Sequence, residues 1–153
     1  MAEYHFVTEW EIEAPIEAVW GAISDPLRWP RWWRGVVEVV DVSAGDERGI
    51  GAVRRYTWRS RLPYNLVFDM RTTLVDPPHA IEGSASGELA GAGRWRFESR
   101  GPMTTVRYEW DIVTTKRWMN LLAPILRPLF EWNHDVVMEW GRQGLVRLLV
   151  ADK

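Results

Sequence analysis

The amino-acid sequence predicts an α+β fold in which a curved, seven-stranded antiparallel sheet is covered by a long C-terminal helix. Two observations predict this fold. Much of the chain consists of segments of about ten residues in which apolar and polar side chains alternate, and the last segment has the periodicity of a helix. The turns between the strand segments are short. They allow only antiparallel pairing, because a parallel return needs a crossover of about a dozen residues or more.

The chain begins with one strand and two helical segments. Residues 5–13 alternate between apolar and polar, largely acidic, side chains, which is the pattern of a half-buried strand. A helix is predicted to begin at Pro15, because proline fits the first helical position, and to end at Asp25, which precedes another proline. Residues 26–34 are expected to form a short helical turn rich in tryptophan. The predicted order of elements is therefore β-α-α-β6-α.

Six further strands are predicted, over residues 36–43, 50–61, 64–75, 80–89, 94–100 and 104–114. The strand over 80–89 differs from the others because the side chains on one of its faces have almost no volume. Besides Ile81, that face holds only Gly83, Ala85 and Gly87. Such a strand leaves room either for a helix that packs closely or for an open space inside the fold.

The closing helix is predicted over roughly residues 118–150, with Pro124 and Pro128 indicating a kink or a separate first turn. Asn133 is predicted near the centre of its apolar side, where an amide without partners costs about 1–3 kcal/mol. We therefore expect Asn133 to bond to a strand tyrosine, a tryptophan N–H, a water or a ligand oxygen. The predicted apolar side consists of Leu122, Leu126, Leu129, Phe130, Val136, Val137 and Trp140.

Composition and charge exclude several classes of protein. The net charge of −2 is too balanced for a dedicated nucleic-acid-binding protein, and the chain has no cysteine for disulfides, zinc ribbons or thiol chemistry. The histidines His5, His79 and His134 have no metal-ligand spacing, and no glycine-rich cofactor fingerprint occurs, so neither a metal nor a cofactor is expected. The N-terminus lacks the features of a signal peptide, which predicts a cytoplasmic location.

Several motifs occur in a characteristic order. They are APIEAVW at 14–20, DPLRWPRW at 25–32, VDPP at 75–78, the glycine-rich run before Trp95, TVRY at 105–108, and Asn133-His134. Together they resemble the START-like (SRPBCC) superfamily, and within it the polyketide cyclase/dehydrase and lipid-transport branch, over one domain spanning residues 1–153. The resemblance implies a helix-grip fold whose sheet wraps around the C-terminal helix and encloses an apolar cavity. It does not imply one activity, because such superfamilies host many functions.

The predicted ligand-binding side chains face the space between sheet and helix. Those on strands are Trp10, Tyr56, Trp58, Phe68, Met70, Trp95, Tyr108 and Trp110, and the helix adds Asn133 and Val137. Arg54 shares a face with Tyr56, so its guanidinium could hold a carboxylate or enolate, or could pair with an acid at the rim of the sheet. His134 could move a proton near neutral pH, or could bond locally beside the apolar side of the helix. No catalytic residue is assigned.

The leading functional prediction is binding or transport of a hydrophobic lipid, polyketide or aromatic molecule. The first alternative is a polyketide cyclase/aromatase-type enzyme in which Arg54, Tyr56, Asn133 or His134 polarises a carbonyl or moves a proton. The second alternative is an interaction module. In that case Trp29, Trp32 and Trp33 would touch a membrane transiently or grip another protein, since tryptophan and arginine suit the membrane interface. These three side chains could instead pack onto the first helix and the cavity mouth.

Overall fold

A seven-stranded antiparallel sheet forms the body of the structure, a computed structural model that describes residues 3–62 and 65–151. The strands lie side by side in the order β1-β7-β6-β5-β4-β3-β2, so β1 pairs with the last strand and all other neighbours are consecutive in the chain. Their bounds are β1 Glu3–Ile12, β2 Val36–Ser43, β3 Val53–Trp58, β4 Leu66–Asp76, β5 Ala80–Gly87, β6 Leu89–Arg100 and β7 Met103–Thr114.

The helices lie in two parts of the chain, between β1 and β2 and after β7. Between β1 and β2 the chain forms α1 (Ile16–Ile23), a 3-10 turn (Pro26–Arg28) and α2 (Trp29–Trp32). After β7 it forms α3 (Arg117–Leu121) and α4 (Ala123–Ala151). The predicted element order and the seven-stranded helix-grip architecture are confirmed. The separate first turn of the closing segment is found as α3. None of the described helices is both long and apolar enough to cross a membrane.

Two predicted strands differ most from the observed ones. β6 begins at Leu89 instead of residue 94, because Gly91 and Gly93 pair directly with Ile112 and Trp110 of β7 and continue the strand. β3 is shorter than predicted and covers Val53–Trp58. The predicted start of the next strand, at Tyr64, lies outside the described residues.

The predicted apolar side of α4 is correct in part. Phe130 and Val137 face the sheet, but Leu129 is 40% exposed, and so is Leu122, which precedes α4. The most deeply packed stretch of the helix includes Gly141 and Gly144, against which α2 lies so closely that added Cβ atoms would fall 2.5 Å from Trp33 and 1.7 Å from the Trp32 carbonyl oxygen. Counting apolar side chains misses such a contact, because it is made by helix backbone.

The core lies between one face of the sheet and the helices α1, α2 and α4. Val19 and Ile23 of α1 and Leu145 of α4 are at most 1% exposed. On the other face of the sheet, charged side chains pair across strands, for example Arg55 with Asp69 at 2.8 Å. Arg94, Arg96 and Arg107 form similar pairs with Asp111, Glu82 and Glu9, so this face is a solvated, ion-paired surface.

Candidate functional site

An apolar cavity of about 160 Å³ lies between the sheet and α4 and is partly open to solvent. We call it the helix cavity. None of its described lining residues carries a formal charge at neutral pH. The sheet and the segment after β3 contribute Tyr4, Phe6, Trp58, Ser60, Leu62, Leu66, Phe68, Leu89, Trp95, Tyr108, Trp110, Ile112 and Thr114, and the helices contribute Trp29, Trp33, Met119, Phe130, Asn133, His134, Val137 and Met138.

A second cavity of about 320 Å³ lies on the other side of an aromatic partition. We call it the arginine cavity, because Arg48, Arg54 and Arg71 line it together with Glu82. Its remaining wall includes Ile81 and Gly83 of β5, so the strand with little side-chain volume borders an open space. The partition consists of the residues that line both cavities, Trp29, Trp58, Phe68, Trp95 and Tyr108.

Seven of the eleven predicted ligand-binding residues line the helix cavity, namely Trp58, Phe68, Trp95, Tyr108, Trp110, Asn133 and Val137. Arg54, Tyr56 and Met70 line only the arginine cavity. Trp10 lines neither cavity. It is 3% exposed and packs against Trp33 and Trp95, with ring centroids 5.5 and 5.8 Å away. Its position is that of a core residue behind the cavity wall.

Arg54 is held at the rim of the sheet. Its Nε donates to a carboxylate oxygen of Asp41 on β2 at 3.2 Å, and its side chain is 25% exposed. This is the rim pairing that the sequence left open as one outcome. The guanidinium still borders the arginine cavity, beside Tyr56, whose pKa burial raises strongly.

Asn133 finds a partner that the sequence did not indicate. Its Oδ1 accepts a hydrogen bond from the backbone N–H of Arg61, just after β3, at 3.3 Å. The amide thus joins α4 to the segment that follows β3 at the edge of the helix cavity. This bond takes the place of the expected one to a strand tyrosine or a tryptophan N–H, so the oxygen of Asn133 has a structural role.

The neighbouring residue, His134, is more deeply buried than its predicted position beside the apolar side of the helix indicates. Its ring stacks on Phe6 with a centroid separation of 4.2 Å, and its Nδ1 is buried without a hydrogen-bond partner among the described residues. Burial lowers the pKa of His134 to about 4, so the imidazole is neutral at neutral pH. The local hydrogen bond that the sequence left open as an alternative is not found at Nδ1 among the described residues.

Two further lining residues have buried polar atoms without partners among the described residues. They are the hydroxyl of Tyr4 and the Nε1 of Trp58. An unpaired buried group of this kind costs about 1–3 kcal/mol. Sequence reasoning missed Tyr4 because the predicted strand began one residue later. Tyr4 is two residues before Phe6 and six before Trp10, so strand alternation places all three side chains on one face. This alternation is the signal that could have found it.

The tryptophan-rich segment forms part of the cavity wall. Trp29 and Trp33 are 6% and 2% exposed. Their indole N–H groups are satisfied within the protein: Trp29 donates to the Ile23 carbonyl at 3.2 Å, and Trp33 donates to the Val137 carbonyl at 2.9 Å. Trp32 is partly buried against Trp33. These contacts agree with the alternative in which the three tryptophans pack onto the first helix and the cavity mouth instead of forming an exposed interaction surface.

The fold and its cavity are those of a START-like, helix-grip protein. The family described as polyketide cyclase / dehydrase and lipid transport matches residues 3–148, and the chain belongs to this family. No curated protein matches the sequence.

Solved structures with low sequence identity share the fold. The Zhui aromatase/cyclase from Streptomyces sp. R1128 is 17% identical, with a TM-score of 0.77 over 95% of this chain and 92% of that one. A START superfamily protein from Mycobacterium smegmatis is 13% identical, with a TM-score of 0.79 over 97% and 99%. Norcoclaurine synthase from Thalictrum flavum, solved with dopamine and hydroxybenzaldehyde, is 15% identical, with a TM-score of 0.64 over 99% and 89%.

Proposed function

We propose that the protein binds a hydrophobic small molecule, of lipid, polyketide or aromatic type, in the helix cavity. The observation that carries the proposal is an uncharged space walled mainly by aromatic and aliphatic side chains, with a few polar residues such as Ser60, Thr114 and Asn133 in its lining. Ligand sites typically have this composition. An apolar cavity of about 150 Å³ is large enough to hold benzene. The helix cavity therefore has room for one ring, and its open side leaves room for a longer molecule.

Affinity would come mainly from the removal of apolar surface from water, worth about 25 cal/mol per Å². Aromatic walls add edge-to-face and stacked contacts, for which Tyr108 and Trp95 already provide a template with ring centroids 4.1 Å apart. The description of the matched family, which includes lipid transport, supports the same proposal.

Filling the cavity tests the proposal. Val137 lines the cavity from α4, whereas Val150 of the same helix is 61% exposed. We expect Val137→Trp to weaken binding of the fluorescent probe N-phenyl-1-naphthylamine at least tenfold, and Val150→Trp to leave it unchanged. Circular dichroism would verify that each variant is folded, and Val137→Phe provides a milder filling. Equal probe binding by the parent, Val137→Trp and Val137→Phe would contradict the proposal.

A second candidate function is a polyketide cyclase/aromatase-type enzyme. The specific observation in its favour is His134, a neutral imidazole that lines the cavity and whose Nδ1 has no hydrogen-bond partner among the described residues. Such a group can hydrogen-bond a carbonyl oxygen or move a proton of a folded poly-β-ketone. Turnover of a poly-β-ketone surrogate by the parent protein, lost in His134→Phe, would favour the enzyme over the carrier. Native mass spectrometry of freshly purified protein would show retained cargo for a carrier.

Transient membrane contact through Trp29, Trp32 and Trp33 stays a prediction, as does a cytoplasmic location. Burial of Trp29 and Trp33 argues against the membrane contact, because both rings would have to leave the cavity wall. Co-sedimentation with vesicles would test it, and no binding would exclude it.

A further inference from the structure

A row of large apolar side chains is exposed along one side of α3 and the first half of α4. Backbone hydrogen bonds join the two helices, since the Leu122 N–H donates to the Trp118 carbonyl at 3.1 Å and the Leu126 N–H donates to the Leu122 carbonyl at 2.9 Å. Helical spacing therefore brings the members of the row to one side. We call the row the exposed stripe, and its members are Trp118, Leu121, Leu122, Ile125, Leu129 and Trp132.

Two residues near the middle of the exposed stripe project furthest into solvent. Leu121 and Ile125 are 81% and 76% exposed, more than any other large apolar side chain of the described residues. From Trp118 to Trp132 the stripe is about 20 Å long at 1.5 Å per residue. A continuous apolar surface of this kind marks a site of contact with a membrane or with another protein.

Basic side chains lie at both ends of the exposed stripe. Arg117 is exposed at the start of α3. At the other end, Trp140 follows Leu129 by eleven residues, or about three turns, and so continues the same side of α4. The guanidinium groups of Arg34 and Arg61 lie over the Trp140 ring, at 4.4 and 5.7 Å from its centroid. This side of the protein therefore carries three guanidinium groups.

Acidic side chains of α4 do not offset these charges. At about 100° per residue, Glu131 and Asp135 lie about 100–140° round the helix from Trp118, which is near the middle of the stripe. Glu139 lies nearer to the stripe, but its carboxylate accepts hydrogen bonds from Arg142. The side that carries the stripe is thus locally basic in a chain whose net charge is −2.

The opposite side of the same helical segment covers the helix cavity. Met119 of α3 and Phe130 of α4 line the cavity, whereas Leu121 and Leu129 face solvent. A surface that binds the exposed stripe would therefore lie against the elements that enclose the cavity.

Going beyond the proposed function, we propose that the exposed stripe docks the protein on the surface of an anionic lipid bilayer. Leu121 and Ile125 enter the boundary between head groups and acyl chains, as the apolar face of an interfacial helix does. Trp118 and Trp132 lie at the membrane–water interface, where tryptophan is enriched. The guanidinium groups at the ends of the stripe contact acidic head groups.

The charges favour a bilayer over a second copy of the chain. A two-fold contact through the stripe would bring the same basic side of both copies together, and like charges oppose such a contact. Acidic head groups neutralise the same charges. The stripe is also exposed as it stands, so this docking does not require Trp29 and Trp33 to leave the cavity wall.

Co-sedimentation with vesicles of phosphatidylcholine mixed with phosphatidylglycerol tests the proposal. We expect the double variant Leu121→Gln/Ile125→Gln to bind about tenfold more weakly than the parent, because less apolar surface leaves water. Glutamine is a good helix former, so α3 and α4 should be retained, which circular dichroism would verify. Val150→Gln is the control, because Val150 is 61% exposed on the same helix but lies outside the stripe, and its binding should equal that of the parent.

A second pair of variants tests the charges. We expect Arg117→Gln to weaken binding to the mixed vesicles about fivefold, as the loss of one cation near an anionic surface predicts. Arg147→Gln is the control, because Arg147 is exposed near the far end of α4, and it should leave binding unchanged. Vesicles of phosphatidylcholine alone should bind the parent more weakly than the mixed vesicles do.

Three results would overturn the docking proposal. They are a parent protein that does not bind the mixed vesicles, a double variant that binds them as tightly as the parent, and a parent dimer in sedimentation velocity that the double variant dissociates. The last result would assign the stripe to a second copy of the chain. Binding of N-phenyl-1-naphthylamine is measured without vesicles, so each of these results leaves the proposed ligand binding to be judged separately.

Discussion

At the scale of single residues, His134 departs furthest from what its sequence position predicts. Periodicity places it at the edge of the apolar side of the closing helix, yet its ring is stacked on Phe6 and its Nδ1 is buried. Asn133, which the same periodicity places at the centre, instead bonds to the backbone of Arg61.

Burial of His134 predicts a pH-dependent stability. Its pKa of about 4 in the folded protein lies below the ordinary value of 6.5, so the unfolded chain binds more protons between these two values. The free energy of unfolding should therefore fall as the pH falls through this window, and this residue should lower it by about 2–3 kcal/mol at pH 4.5. Above pH 7 the imidazole is neutral in both states and the contribution vanishes.

Urea unfolding of the parent and of His134→Phe at pH 7.5, 5.5 and 4.5 measures this effect. Carboxyl groups also titrate in this range, but they are common to both proteins, so the difference between the two free energies isolates His134. We expect the parent to become less stable relative to His134→Phe as the pH is lowered. A difference that is constant from pH 7.5 to 4.5 would mean that the imidazole is solvated in the folded protein.

Much of the cavity wall could be predicted from sequence at this scale, because strand alternation assigns each aromatic side chain to a face. Parity alone places Trp58, Trp95 and Trp110 on the face that forms the wall. Strand alternation could not distinguish a residue of the cavity wall from one packed behind the wall, because both lie on the same face of the sheet. Trp10 is such a residue behind the wall. Nor could strand alternation reveal which cavity Arg54 borders.

At the scale of elements, the contact between α2 and α4 depends on two glycines. An added Cβ at Gly144 would lie 1.7 Å from the backbone carbonyl oxygen of Trp32, which cannot move without shifting α2. We expect Gly144→Ala to lower the free energy of unfolding by about 1–3 kcal/mol, because the overpacked helices must separate. Because Trp29 and Trp33 lie at this junction, the helix cavity should change with it.

Gly21→Ala is the matched control. Gly21 lies in α1, and a Cβ added there would have nothing within 4 Å, so alanine should stabilise the helix by about 0.5–1 kcal/mol. Chemical denaturation of both variants compares the two outcomes. If Gly144→Ala were as stable as Gly21→Ala, the close approach of α2 to α4 would be wrong.

The strands were more predictable than the helical contacts for a physical reason. Successive side chains of a strand point to opposite faces, so strands can be recognised from alternation in the sequence. Short turns allow only antiparallel pairing, so the class of sheet follows as well. The orientation of α4 follows instead from its partners. Gly141 and Gly144 carry no apolar side chain, and they are nonetheless where the helix packs closest.

At the scale of the whole molecule, two cavities of different chemistry share an aromatic partition. The helix cavity is uncharged, whereas the arginine cavity has three guanidinium groups near its wall. The partition is well packed, with Tyr108 stacked on Trp95 and Phe68 stacked on Tyr56.

The most direct measurement is the location of a bound ligand. Crystals of the protein grown with 4-bromophenol, whose bromine scatters anomalously, would show where an uncharged aromatic ring binds. The account predicts an anomalous peak between the sheet and α4, within contact of Val137 and Phe130. A peak confined to the arginine cavity or to the outer surface, with the helix cavity empty, would contradict it.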